Sequence, residues 1–325
     1  MNSRTFIKEL KEYGPGLVMK HTVSKIKGTE DAEHDYIISL HNLSTEKEKE
    51  EELAHNFREA MGYDMDFKNP STFCQKIYWM RLHGATDLKT VFADKYLMRD
   101  YVEEKLGKGY TVGLLGVWDR FDDIDFDKLP DSFVLKANHG CGYNIIVKDK
   151  NSFDKKAAKK KMDKWMKTDY ALIHLEMQYY KIPRKIIAEE YIDQMGDEGS
   201  LYDYKIHCFG GVPLFCQVIG DRGVGGSKGK QAFYDMDWKP ENFSLGNYPP
   251  FEKEIEKPAA WEEMKNCAVK LSAPVDYVRV DMYEIDGKVY IGELTCTPAG
   301  GNFPKMEPRE TDKLLGEKIK LQEMA

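Results

Sequence analysis

The sequence predicts an α+β protein in which a helical N-terminal region precedes mainly antiparallel sheets. Three observations lead there. Apolar residues recur at helical spacing through residues 1 to about 90. From about residue 90, short strand-like runs alternate with helical stretches, without the βαβ pattern of a parallel sheet. Two pairs of those runs read as hairpins, one between Phe133 and Val147 and the other between Asp276 and Gly301.

Taken in order, Phe6, Ile7 and Leu10, then Val18, Val23 and Ile26, mark the first helical spacing. Thr45 to Met61 is a strongly charged helix, and Asn69-Pro70-Ser71 starts another that runs through Trp79 and Leu82. The stretch FVLKANHGCGYNIIV then gives an apolar strand, Lys136 at its end, the loop His139-Gly140-Cys141-Gly142, and a second apolar strand. Gly140 and Gly142 carry no Cβ, so the backbone there can approach a ligand closely. Successive N–H groups in such a loop form an anion-binding concavity, and Lys136 adds a charge beside it. No helix starts straight after the loop, as a P-loop or a dinucleotide-binding turn would require. A Gly-x-Gly hairpin by itself is more often a plain tight turn, so this flap needs support from elsewhere. Asp154 to Thr168 is a basic helix with Met162, Trp165 and Met166 on one side. A solvated helix packed on the flap is the favoured reading; peripheral contact with an anionic membrane or a lipid-linked glycan stays open.

The last hairpin, DYVRVDMYEIDGKVYIGELTCTPAGG, turns at Asp286-Gly287. An odd-numbered loop there sets Asp281 opposite Glu293, and Arg279, Asp281, Glu293 and Thr295 share one face. Val278, Val280, Met282, Tyr290 and Leu294 then form the core face. A two-residue loop would send the two acids to opposite sides and bury one among apolar groups, at a cost of several kcal/mol, so the odd register is expected. Two adjacent carboxylates repel unless a cation lies between them. A hard divalent ion with oxygen ligands, Mg²⁺ carried with nucleotide phosphates, satisfies them.

The 325 residues allow about two domains with a sizeable core. A formal charge of −7 argues against a nucleic-acid partner. Cys74, Cys141, Cys208, Cys216, Cys267 and Cys296 have no C-x-x-C spacing, so neither a zinc site nor a disulfide framework is indicated. No stretch approaches the length of a membrane span and no leader-like apolar segment opens the chain, which together suggest a cytoplasmic protein.

DKYLMRDYVEEKLG (from Asp94), FVLKANHGCG, IIAEEYI (from Ile186), DYKIHCFGG (from Asp203) and the closing hairpin follow one another as in ATP-grasp enzymes. The segments LLGVWDRFDDIDFDKLPDSFVLK, FYDMDW and GELTCTPAGG resemble one branch, the teichuronopeptide-biosynthesis-type, or TupA-like, ATP-grasp proteins. The resemblance runs from about Asn69 to about Leu321 and implies two α+β subdomains gripping ATP, over 91–192 and 193–325, after a helical region, 1–90. It implies that Lys95 and Lys136 hold ATP phosphates under a flap containing His139, Gly140 and Gly142. Glu189, Glu190, Tyr191 and Ile192 fall at the hinge that meets adenine, flanked by Ile186 and Ile187. Asp203 and Lys205 match an acid/base pair near the γ-phosphate, and Arg279 an arginine that steadies an oxyanion. Asp281 and Glu293 match Mg²⁺ ligands, with Thr295 where many members have Asn. The helical N-terminal region departs from the α/β domain usual in these ligases.

The implied activity is ATP- and Mg²⁺-dependent joining of a carboxylate to an amine through an acylphosphate. The branch suggests an amino acid attached to a uronic-acid-type sugar or glycan carboxylate in surface or capsular polysaccharide synthesis. Alternatives are a glycosyltransferase, whose metal motif would lie in DDIDFD (Asp122 to Asp127), an ATP-dependent sugar kinase, and a nucleotide-binding protein without catalysis. Trp238, within FYDMDW, serves either as a sugar-stacking residue or as a core aromatic.

Overall fold

The computed structural model of the chain describes residues 45–192, 195–196, 199–222, 229–246 and 248–321. The helical spacing between Phe6 and Ile26 lies outside them. The described part opens with α1 (Glu46–Met61), α2 (Phe73–His83), α3 (Asp87–Ala93) and α4 (Leu97–Leu106). Thr45 and Glu48 cap α1 reciprocally, and Thr72 and Gln75 do the same for α2. That second cap starts α2 after Thr72 rather than at Asn69-Pro70-Ser71, because the Thr72 hydroxyl takes the Gln75 N–H while Ser71 donates to the Gln75 side chain. His83 is held between Glu46 and Glu50 at 2.8 and 3.0 Å, which fastens α2 to α1.

The first sheet contains β1 (Leu114–Trp118), β2 (Phe133–Ala137), β3 (Asn144–Val147) and β4 (Ile186–Glu190), in the order β1-β4-β2-β3 and antiparallel throughout. Side chains alternate across it. Phe133, Leu135, Ile186 and Ala188 enter a core with Phe121, Phe126 and the basic helix α5 (Lys155–Lys167). Helix α5 buries Ala158 and Met162 there, and its Trp165 stacks on Tyr143 at 5.0 Å. The opposite face carries Lys136, Ile187 and Glu189, since each is one position removed from a core residue.

A short helix, α6 (Tyr170–Ile173), precedes β4, and a two-strand ribbon of β5 (Met195–Gly196) and β6 (Gly199–Ser200) follows it. The second sheet contains β7 (Asp203–Phe209), β8 (Val212–Gly220), β9 (Lys230–Asp235), β10 (Tyr277–Ile285) and β11 (Lys288–Thr295), in the order β11-β10-β7-β8-β9. Tyr204, Ile206, Cys208, Val278, Val280 and Met282 point to one face, against α7 (Trp261–Ser272), α3 and α4. Trp238 lies on that side, partly buried against the core, stacked on Tyr234 at 4.4 Å with its indole N–H on the Ile255 carbonyl.

The other face changes character along its length. Phe209, Phe215 and Tyr277 pack with Phe73 and Ile77 of α2 and with Leu315 of α8 (Glu310–Lys318). Burial of each such side chain contributes about 1.5–3 kcal/mol, so the N-terminal helices complete the core of the second sheet. Two residues further along each strand, the same face becomes polar: His207 and Arg279, Lys205 and Asp281, then Asp203.

The β10–β11 hairpin corrects the expected turn. Its loop has two residues, Asp286 and Gly287, both in the left-handed region at φ 52° and 72°, and Ile285 pairs with Lys288. Asp281 still faces Glu293, because a bulge at Gly292 inserts one residue between the Met282–Ile291 and Asp281–Glu293 pairs. Before the bulge the parity is therefore reversed: Val289 and Ile291 enter the core in place of Tyr290, which is only partly buried.

Candidate functional site

Lys95 sits where the flap meets the second sheet. It lies between α3 and α4, with its backbone N–H on the Asn138 carbonyl and its ammonium on the Gly140 carbonyl of the flap. Asn138 in turn donates to Asp94 and Pro183, so the lysine is tied to the flap on both sides. Burial lowers the Lys95 pKa, and Lys136 acts in the same direction while Glu293, Cys141 and Glu189 oppose it. The first sheet, the flap tip and the last hairpin thus act on one ammonium group.

Lys136, at the end of β2, contacts Glu189 of β4 at 2.5 Å, and Arg99 of α4 holds the other Glu189 oxygen at 2.9 Å. Glu189 is thereby committed to two cations, while Glu190 is exposed and gives its backbone N–H to Gly113. Tyr191 and Ile192 are partly buried just past β4. Ile187 shares the Lys136 face, whereas Ile186 is spent in the flap core. Gly142 has φ 72°, the conformation that favours glycine, and a Cβ on Gly140 would meet the Tyr143 and Tyr170 rings at 2.7 and 2.9 Å. His139 is 3% exposed and its Nε2 contacts the Trp165 carbonyl. Burial pulls its pKa down to about 4, so it is neutral and packs the flap onto α5.

On the second sheet, Asp281 takes two hydrogen bonds from Arg279 at 2.6 Å and one from Lys205 at 2.5 Å. Lys205 also lies 3.6 Å from Asp203, which pairs with Arg222 at 2.7 Å and leaves its Oδ1 unpartnered. Arg279 Nη2 reaches the Thr295 hydroxyl at 3.3 Å. Beside this network the Glu293 carboxylate has neither a hydrogen bond nor an ion pair among the described residues, although it acts electrostatically on Lys95, Arg279 and Glu176. Asp281, Glu293 and Thr295 are an all-oxygen donor set on one sheet face, the type a hard divalent cation prefers. With the Glu293 oxygens unengaged and Asp281 Oδ1 accepting a single bond, the residues fit Mg²⁺.

Several contributors escape a reading along the chain. Arg99 lies on α4 and meets Glu189 across 90 positions. Glu176 and Thr297 meet although 121 residues separate them, and His207 is fully buried with its Nε2 unpartnered. Three of the four acids of DDIDFD form exposed ion pairs: Asp122 with Lys159, Asp123 with Arg120 and Asp125 with Lys128. Among the described residues no helix is long and apolar enough to cross a membrane.

Among curated proteins none matches the chain. Solved structures that resemble it include D-alanine–D-alanine ligase from Bacillus anthracis complexed with ATP, at 21% identity and TM-score 0.34, covering 64% of this chain and 54% of that one. D-alanine–D-alanine ligase from Helicobacter pylori resembles it at 14% identity and TM-score 0.40, covering 71% and 60%. Phosphoribosylamine–glycine ligase from Thermotoga maritima does so at 14% and 0.41, covering 73% and 57%. The chain thus spans less than two thirds of each of these proteins. The TupA-like ATPgrasp family profile matches residues 75–320, which takes in both sheets, the flap and the last hairpin. The chain belongs to the TupA-like ATP-grasp family and has the ATP-grasp fold.

Proposed function

We propose that the protein is an ADP-forming carboxylate–amine ligase that uses ATP and Mg²⁺. The observation that carries the reading is Lys95: one ammonium group under the combined influence of the flap, Glu189 and Glu293, where a polyphosphate would be gripped from two sides. Lys95 and Lys136 neutralise the phosphates, and the flap backbone at Gly140 and Gly142 covers them. Lys136 is presented by Glu189, which Arg99 steadies, while Glu190, Tyr191 and Ile192 offer backbone and side-chain edges to adenine. Asp281, Glu293 and Thr295 would hold Mg²⁺, which supplies charge neutralisation on the phosphates when bound.

The acceptor carboxylate attacks the γ-phosphorus; the bond to the ADP oxygen breaks and an acylphosphate forms. An amine then attacks the acyl carbon, phosphate leaves with the bonding pair, and the nitrogen loses a proton. Arg279 is placed to stabilise the oxyanion of that second step, and the Asp203–Lys205 pair to organise the γ-phosphate and acceptor. We further assign the substrates as an amino acid and a uronic-acid-type sugar or glycan carboxylate in surface-polysaccharide synthesis, a choice supported by family membership. Incubation with ATP, Mg²⁺, glucuronic or galacturonic acid and hydroxylamine should release ADP and give a hydroxamate. A stable phosphorylated sugar instead would make the protein a kinase. UDP release from a nucleotide sugar without ATP would make it a glycosyltransferase.

A further inference from the structure

Between α6 and β4 the chain turns back at Leu175 (φ 52°) and enters a 3₁₀ turn, Met177–Tyr179. This segment brings Glu176 and Gln178, 7% and 3% exposed, against Thr297 at the start of the Thr-Pro-Ala-Gly-Gly turn. Gln178 Nε2 donates to the Thr297 hydroxyl at 2.8 Å, and that hydroxyl donates to Glu176 Oε1. Two acceptors are left over. Gln178 Oε1 is buried with no donor, and Glu176 Oε2 has no hydrogen bond among the described residues. The nearby cation, Arg81 of α2, donates to the His174 and Gly300 carbonyls and forms no ion pair with Glu176. Burial raises the Glu176 pKa, Arg81 lowers it and Glu293 raises it, so negative charge here is under-compensated.

The neighbourhood belongs to the reacting centre. Tyr179 feels Glu176, Glu293, Tyr170 and Cys141 of the flap tip together. A buried structural carboxylate is expected to engage a cation, and a buried amide oxygen a donor; among the described residues Glu176 forms no ion pair and Gln178 Oε1 has no donor. We infer that Glu176, with Gln178 and Thr297, forms the subsite that receives the amine substrate as an ammonium ion, the class to which a free amino acid belongs. An ammonium offers three donors and one positive charge, which answers the two unengaged acceptors and the charge deficit. The assignment rests on the ligase reading above and makes Glu176 a binding residue for the second substrate, whose nitrogen passes one proton to the Glu176 carboxylate to free its lone pair before attack and loses a second as phosphate leaves.

The test compares two amines on one acylphosphate. Wild type and Glu176→Gln are given ATP, Mg²⁺ and the uronic acid, with hydroxylamine (neutral at pH 7.5) or an equimolar mixture of the common amino acids. The ratio of amide to hydroxamate should fall at least about tenfold in the variant, or about 1.4 kcal/mol in transition-state terms. Thr297→Val, which removes the hydroxyl holding Glu176, should move the ratio in the same direction and covers the case in which Glu176→Gln does not fold. A ratio unchanged within about twofold in both variants, or hydroxamate from wild type with no amide from the mixture, overturns the inference while leaving the ligase reading intact. No hydroxamate from wild type sinks both.

Discussion

Burial alone would push the Asp281 carboxyl up, but Arg279 and Lys205 outweigh it and hold its pKa at about 2. The folded-state value lies below the ordinary 3.8, so the stabilisation is complete above that range and is lost as pH falls through about 2. Asp281→Asn leaves Arg279 and Lys205 without their counter-charge. It should cost about 3–5 kcal/mol at pH 7, with the gap to wild type narrowing below about pH 3; urea titrations across pH check both statements. Glu293 has the opposite standing, since it holds nothing together among the described residues. Glu293→Gln should therefore lower ADP formation at least about 100-fold with an unchanged melting temperature. Near-normal turnover would remove it from the metal site. Residue chemistry was legible in the sequence for the acids and lysines that motifs isolate. It was not for His139, whose burial against α5 depends on a helix packing from elsewhere.

At the level of the element, the last hairpin carries the site. The sequence names its turn and its paired acids, but two routes lead to the same pairing: an odd loop, or a tight loop plus a bulge. Backbone sterics select the second, because Asp286 and Gly287 suit the left-handed pair of a two-residue turn, and Gly292 takes up the extra residue. Ala at position 287 would occupy φ 72°, with open space around its Cβ. Gly287→Ala should cost about 1 kcal/mol through backbone strain alone, read by urea denaturation, with ATP affinity unaltered. A larger loss together with weaker nucleotide binding would mean that the turn sets the register by itself and the bulge is secondary.

Over the whole molecule, the second sheet is a single surface with two uses. Its aromatic end is closed by α1, α2 and α8, and its charged end faces the flap. Nucleotide held by both sheets should stabilise the fold by mass action, about 2.7 kcal/mol at a ligand concentration of 100 times Kd. ATP with Mg²⁺ is expected to raise the melting temperature by several degrees. Lys95→Ala, which unties the flap from the junction, should abolish that rise while shifting the ligand-free transition little. A full shift in the variant would place the phosphates elsewhere.

The sequence by itself determined the α+β class, the two hairpins and the acids and lysines that its motifs single out, because periodicity, turn residues and strand alternation are local properties. Only the tertiary structure decided which of those charges meet. Arg99 joins Glu189 across 90 positions and Thr297 joins Glu176 across 121, and Lys95 is drawn to the flap by Asn138. Such meetings depend on how two sheets and a set of helices pack. Packing is fixed by buried area and steric fit summed over the whole chain, and no short window of sequence contains that sum.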